Sequence, residues 1–247
     1  MEHGLARRAT AEGIGTAFLV TVVVGSGIAA QRLSPGAPGL ELLENSIATG
    51  AGLIALILAL GSVSGAHFNP VVTLADRILR GTSTRDAAVY VAAQVAGACA
   101  GATVANLMFD LPSVTLSTHT RSSSGLWLGE VVATFGLLLV ILGVVRAGRA
   151  SVAAFGVGGY IAAAYWFTSS TSFANPAVTI ARSLTNTFAG IAPGDVPMFV
   201  LMQIVGAVLA VALALFLFPD VPAAEVVVPH DDVRNAAPHS SRPGEHE

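Results

Sequence analysis

Two short segments far apart in the chain repeat one another: NPVVTLA at 69–75 and NPAVTIA at 175–181. Each lies between long apolar runs, and this pairing constrains the fold more than any other feature. A bilayer core takes about 20 apolar residues as a helix. Six runs reach that length, at 9–30, 46–64, 87–109, 126–145, 151–168 and 197–218. Two apolar pieces are left over, 67–79 and 173–185. As helices they are roughly 18 Å long, half a membrane. Each contains an Asn-Pro pair near its start, and proline suits a first helical turn, where its missing N–H is not needed. The expected fold is an all-α membrane protein with six transmembrane helices and two re-entrant half-helices.

The halves match elsewhere too. AQVAGA at 93–98 corresponds to MQIVGA at 202–207, and a carboxylate opens each half, Glu12 and Glu130. With three spans per half, the second repeat (about 126–218) enters the membrane from the opposite side to the first (about 9–109), an inverted repeat. Broken segments at matching positions of such repeats point to the transport site. The two half-helix N-termini then meet near the midplane, where irregular backbone is tolerated only if it is buried in protein or lines a water-filled cavity. Each end carries about +0.5 of an elementary charge, so together they oppose cations, protons included. Asn69 and Asn175 are placed to cap these helices through their side-chain oxygens, leaving their NH₂ groups as donors to a passing oxygen.

Composition excludes other classes. The chain is 53% hydrophobic and 11% charged, against roughly 25% charged in a soluble domain. A net charge of −3 points to no nucleic-acid partner. No nucleophile–base pair, phosphate loop or metal-ligand cluster is evident, so neither an enzyme, a metal nor a cofactor is expected. Cys99, the single cysteine, lies in an Ala/Gly/Val run and reads as a buried small residue rather than a pore thiol. The first apolar run lacks a convincing cleavage site and reads as an uncleaved span.

Every basic residue is arginine. Arg7, Arg8, Arg77, Arg80, Arg85, Arg146 and Arg149 fall on one side of the membrane, and Arg32, Arg121 and Arg182 on the other. The positive-inside rule then makes both termini cytoplasmic in a multi-pass inner-membrane protein. Residues 1–8 form the N-terminal segment and 9–218 the channel domain. Residues 219–247 are polar and too poor in apolar side chains to pack, so a disordered cytoplasmic tail is expected there.

SGAHFNPVVT at 64–73 and FANPAVT at 173–179 resemble the two signatures of the major intrinsic protein (aquaporin–aquaglyceroporin) family. The resemblance implies an aquaporin-like fold, homotetramers with one pore per subunit in the lipid bilayer, and passive flux of water or small neutral solutes. Its two pore motifs fall on Asn69, Pro70 and Val71, and on Asn175, Pro176 and Ala177. Val71 stands where alanine is usual, and Val178 where most members carry arginine. By family spacing the selectivity filter becomes Thr49, Ala163 (or Ala162), Ser172 and Val178. That set is small and uncharged, unlike the aromatic, His and Arg set of water-selective members, and implies a wide constriction. The stretch 169–184 resembles a bacterial subgroup associated with arsenic resistance. It suggests glycerol-like polyols, arsenite and related metalloid acids as solutes.

Other candidates carry two readings each. Glu12 and Glu130 could relay protons, but hydrogen bonding to the re-entrant backbone is the better assignment, with Gln94 and Gln203 bracing the loops in the same way. His67 either lines the pore or packs. Arg182, one turn beyond Val178, could reach the outer vestibule but not the constriction, given about 6 Å of helical rise. The leading function is a passive channel for small neutral solutes; the alternatives are a strict water channel and a coupled secondary transporter.

Overall fold

The computed structural model describes residues 4–218; the expected tail at 219–247 lies outside the described residues. Eight α-helices are found there: α1 (Leu5–Leu33), α2 (Pro38–Ser64), α3 (Pro70–Ile78), α4 (Thr84–Met108), α5 (Ser124–Arg146), α6 (Ala153–Phe167), α7 (Pro176–Arg182) and α8 (Val196–Leu217). Six of these segments are long and apolar enough to cross a membrane. They begin and end within a turn or two of the expected spans, except that α2 starts eight residues early, at Pro38. Large apolar side chains such as Phe18, Leu58, Leu107, Phe155 and Leu209 lie exposed on the outer faces, as lipid contact requires.

The short helices are briefer than the apolar pieces that foretold them: α3 has 9 residues and α7 has 7. The residues before each proline are not helical. Asn69 and Asn175 are extended, with φ −156° and −158°. Ala66 and Phe68 in the first loop, and Ser172 and Ala174 in the second, have φ between 47° and 52°. That left-handed conformation costs a non-glycine residue about 1–2 kcal/mol. It occurs at the same two offsets from each asparagine, so it belongs to the repeat.

The repeat also sets the packing. In the first half α1 packs along α4, in the second α5 along α8, and α2 meets α6 across the pseudo-symmetry axis. Small residues let these backbones touch. A Cβ on Gly97 would overlap the Gly13 carbonyl oxygen, and one on Gly206 the Val131 carbonyl oxygen. These are equivalent crossings, α1 on α4 and α5 on α8. Their closeness draws the six long helices around a core that holds both re-entrant loops.

Candidate functional site: the pore

Each re-entrant loop hangs from a buried glutamate. Glu12 of α1 accepts the backbone N–H of His67 (3.0 Å) and Phe68 (2.7 Å), together with the Ser64 hydroxyl (2.6 Å). Glu130 of α5 accepts the backbone N–H of Phe173 and Ala174, both at 2.9 Å. These donors have no helical partner, and an orphaned buried N–H costs about 1–3 kcal/mol. Gln94 donates to Glu12 (2.8 Å) and to the Thr73 hydroxyl (3.0 Å); Gln203 donates to Glu130 (2.5 Å) and the Thr179 hydroxyl (2.8 Å). The expectation that the glutamines brace the loop backbone themselves needs correction. They hold the glutamates and the half-helix threonines, because their amides lie behind the carboxylates.

The two half-helices are joined at their tips. Asn69 Oδ1 accepts Val71 N–H (3.1 Å), while Asn175 Oδ1 accepts Ala177 N–H (3.0 Å) and Val178 N–H (3.3 Å). Each asparagine also donates across the axis: Asn69 Nδ2 to the Ala174 carbonyl and Asn175 Nδ2 to the Phe68 carbonyl, both 2.8 Å. One amide hydrogen of each is therefore committed to the opposite loop, and only the second remains for a passing solute. Pro70, Val71, Pro176 and Ala177 fill the first helical turns as their sequence position requires.

One cavity runs past both asparagines. Its walls are mostly apolar, from Leu19 and Val23 of α1, Leu53 and Ile57 of α2, and Leu137 and Ile141 of α5. His67 lines it, with Nδ1 3.0 Å from the Thr73 hydroxyl and Nε2 4.0 Å from Asp76. Its ring also meets Tyr90 edge-on at 5.4 Å.

Of the expected filter residues, Thr49, Ser172 and Val178 line the cavity. Ala163 does not. It is exposed on the outer face of α6, and Ala162 packs against Gly50 of α2. The pore face of α6 is Val157, Ile161 and Tyr165 at four-residue intervals. Two residues of α-helix turn a side chain by about 200°, so Ala163 points away from the wall that Tyr165 supplies. Tyr165 Oη lies 3.1 Å from Thr49 Oγ1.

Arg182 also reaches this cavity. It is buried and lines the same cavity, with its Cζ 3.4 Å from the centroid of Phe173. Helical side chains lean back toward the N-terminus, which brings the guanidinium over Phe173 of the preceding loop. Nearby, Arg121 lies over the same ring at 5.0 Å. Burial pushes the Arg121 guanidinium below its usual range, opposed by Glu130 and Tyr165.

Residues 2–164 match the family described as Major intrinsic protein. The chain belongs to that family. Among its relatives, the aquaglyceroporin AqpS of Rhizobium meliloti is 53% identical over 216 residues, 87% of this chain and 92% of its own length. The aquaporin AqpM of Methanothermobacter thermautotrophicus is 32% identical over 83% of this chain and 95% of its own. The crystal structure of the Plasmodium falciparum aquaglyceroporin superposes with a TM-score of 0.65 at 19% identity, covering 85% of this chain and 95% of that one. This major intrinsic protein is thus a multi-pass membrane channel with the aquaglyceroporin fold. Sequence reading missed Tyr165. It also left out Thr73 and Thr179, which recur four residues after each asparagine and so were signalled by the repeat itself.

Proposed function

We propose that this channel passes small uncharged solutes of the glycerol class, undissociated metalloid acids of the arsenite type, and water, down their gradients. The cavity past Asn69 and Asn175 carries this reading, because its hydrogen-bonding groups are few and its remaining walls apolar. Thr49, Tyr165 and the two asparagines offer a line of hydroxyl and amide groups along otherwise greasy walls. A polyol, with hydroxyls on one edge and carbon on the other, matches both. An inorganic cation entering would shed water against apolar walls and face the positive ends of two half-helices. The resemblance to an aquaglyceroporin over most of the chain supports the same solute class.

The selectivity residues of this proposal are Thr49, Tyr165, Ser172, Val178 and Arg182. Glu12, Glu130, Gln94 and Gln203 position the loops rather than touch the solute. In the proposed topology both termini are cytoplasmic in the inner membrane, the mouth beside α7 faces outward, and four copies assemble with one pore each. Stopped-flow light scattering on proteoliposomes tests it: glycerol and arsenite should enter protein-containing vesicles far faster than empty ones. Acceleration of water alone would replace this reading with a strict water channel.

A further inference from the structure

Arg182 has more donors than the fold uses. Its Nε donates to the Ala189 carbonyl and fixes the loop that follows α7. No carboxylate pairs with it: among the described residues the ion pairs are Arg8–Asp86 and His67–Asp76. Glu130, the nearby acid, already accepts Phe173 N–H, Ala174 N–H and Gln203. The two amino groups of Arg182 have no protein acceptor, yet the residue is 2% exposed and lines the cavity. Anchoring one loop carbonyl needs only Nε, so the amino groups remain as donors toward the cavity.

The surroundings are built for an anion. Arg121 adds a second positive charge over the Phe173 ring. Ser172 Oγ, buried at the cavity wall, has no protein partner. The Thr49–Tyr165 hydroxyl pair uses one of its two hydrogens internally and leaves the other free. No acidic residue lines the cavity. The repeat sharpens the contrast. Seven residues after Asn69 stands Asp76, and seven after Asn175 stands Arg182, each beside the residue two before its asparagine, His67 or Phe173. Equivalent positions of the two repeats therefore differ in charge, with Asp76 behind the cavity wall and Arg182 on it.

We propose that Arg182, stacked on Phe173 and assisted by Ser172, is a binding site for a small, singly charged oxyanion at the α7-side mouth of the pore. The planar guanidinium fork matches two oxygens of such an ion. The proposal rests on the solute-channel reading for one of its two readouts only. An anion held there occupies the passage and competes with a neutral solute.

Sodium methanesulfonate is the probe, because it stays singly charged at any working pH; equimolar sodium chloride is the control. In proteoliposomes with the same salt on both sides, the ratio of glycerol influx in methanesulfonate to that in chloride should fall to about one half when the anion is at its Kd. In Arg182→Gln that ratio should return to one, and Arg182→Lys, which keeps charge without the fork, should lie between. Independently of flux, methanesulfonate should raise the thermal unfolding temperature of the detergent-solubilised wild type and not that of Arg182→Gln. Should Arg182→Gln fail to fold, Arg182→Lys and Ser172→Ala serve in both measurements, each with a weakened response. A ratio of one in the wild type together with no thermal shift overturns the site, as does an undiminished response in the variants. Absent glycerol flux in chloride would instead count against the channel reading, and the thermal measurement would still decide the site.

Discussion

Replacing Glu130 by glutamine changes one charge and almost no volume, yet it should close the pore. The carboxylate accepts two backbone N–H groups at 2.9 Å, from Phe173 and Ala174, and the Gln203 amide at 2.5 Å. Glutamine offers one oxygen, so one of the two backbone donors would face an NH₂ group. Bonds to a charged acceptor are worth about 1.5–3 kcal/mol each, and an orphaned buried donor costs about 1–3 kcal/mol. The combined loss is about 2–5 kcal/mol, borne by a loop that already holds Ser172 and Ala174 at φ 52° and 48°. Released from Glu130, those residues relax to negative φ and carry Asn175 with them, uncoupling it from the Phe68 carbonyl. With about 1.4 kcal/mol per tenfold change in population, glycerol influx into proteoliposomes should drop at least tenfold, and the unfolding temperature should fall with it. A proton relay predicts a different outcome, passive flux intact and only gradient-driven uptake lost. Wild-type glycerol influx in Glu130→Gln with unchanged thermal stability would refute the bracing role.

The α6 register is tested by a pair of substitutions. Tyr165→Ala should speed the larger solutes relative to water, whereas Ala163→Trp, on the outer face, should leave that ratio unchanged when both fluxes are measured in the same vesicles. Val178→Arg adds a second guanidinium beside Arg182 and should cut glycerol flux far more than water flux; equal losses of both in a folded protein would remove Val178 from the constriction. Gly101→Leu drives a side chain into the Ala17 carbonyl of α1, and overpacking of this kind costs about 1–3 kcal/mol, read as a lower unfolding temperature.

Much of this architecture is legible in the sequence because the physics there is local or repeated. Six apolar runs must be helices, since a bilayer leaves their backbone no other partner. Glu12 and Glu130 could be assigned to the loops because a charge in that setting needs several donors, and re-entrant backbone is where free N–H groups exist. Helix rotation was less accessible. Nearly every residue of α6 is apolar, so no polar stripe marks which face meets the pore, and spacing carried over from relatives settled on Ala163 two residues short of Tyr165. For Arg182, counting rise per residue locates the Cα atom, and the guanidinium that reaches the cavity lies several bonds away from it. The half-helices start later than the apolar pieces because hydrophobicity does not reveal the positive φ at Phe68 and Ala174.

The most direct test is a high-resolution experimental structure of the protein in a lipid environment with glycerol present. The cross-bonded Asn69 and Asn175 should flank an unbroken file of water and glycerol density, bordered by Thr49 and Tyr165 on the α7 side. Two asparagines set apart, or sealed in protein with no density passing between them, would contradict the account.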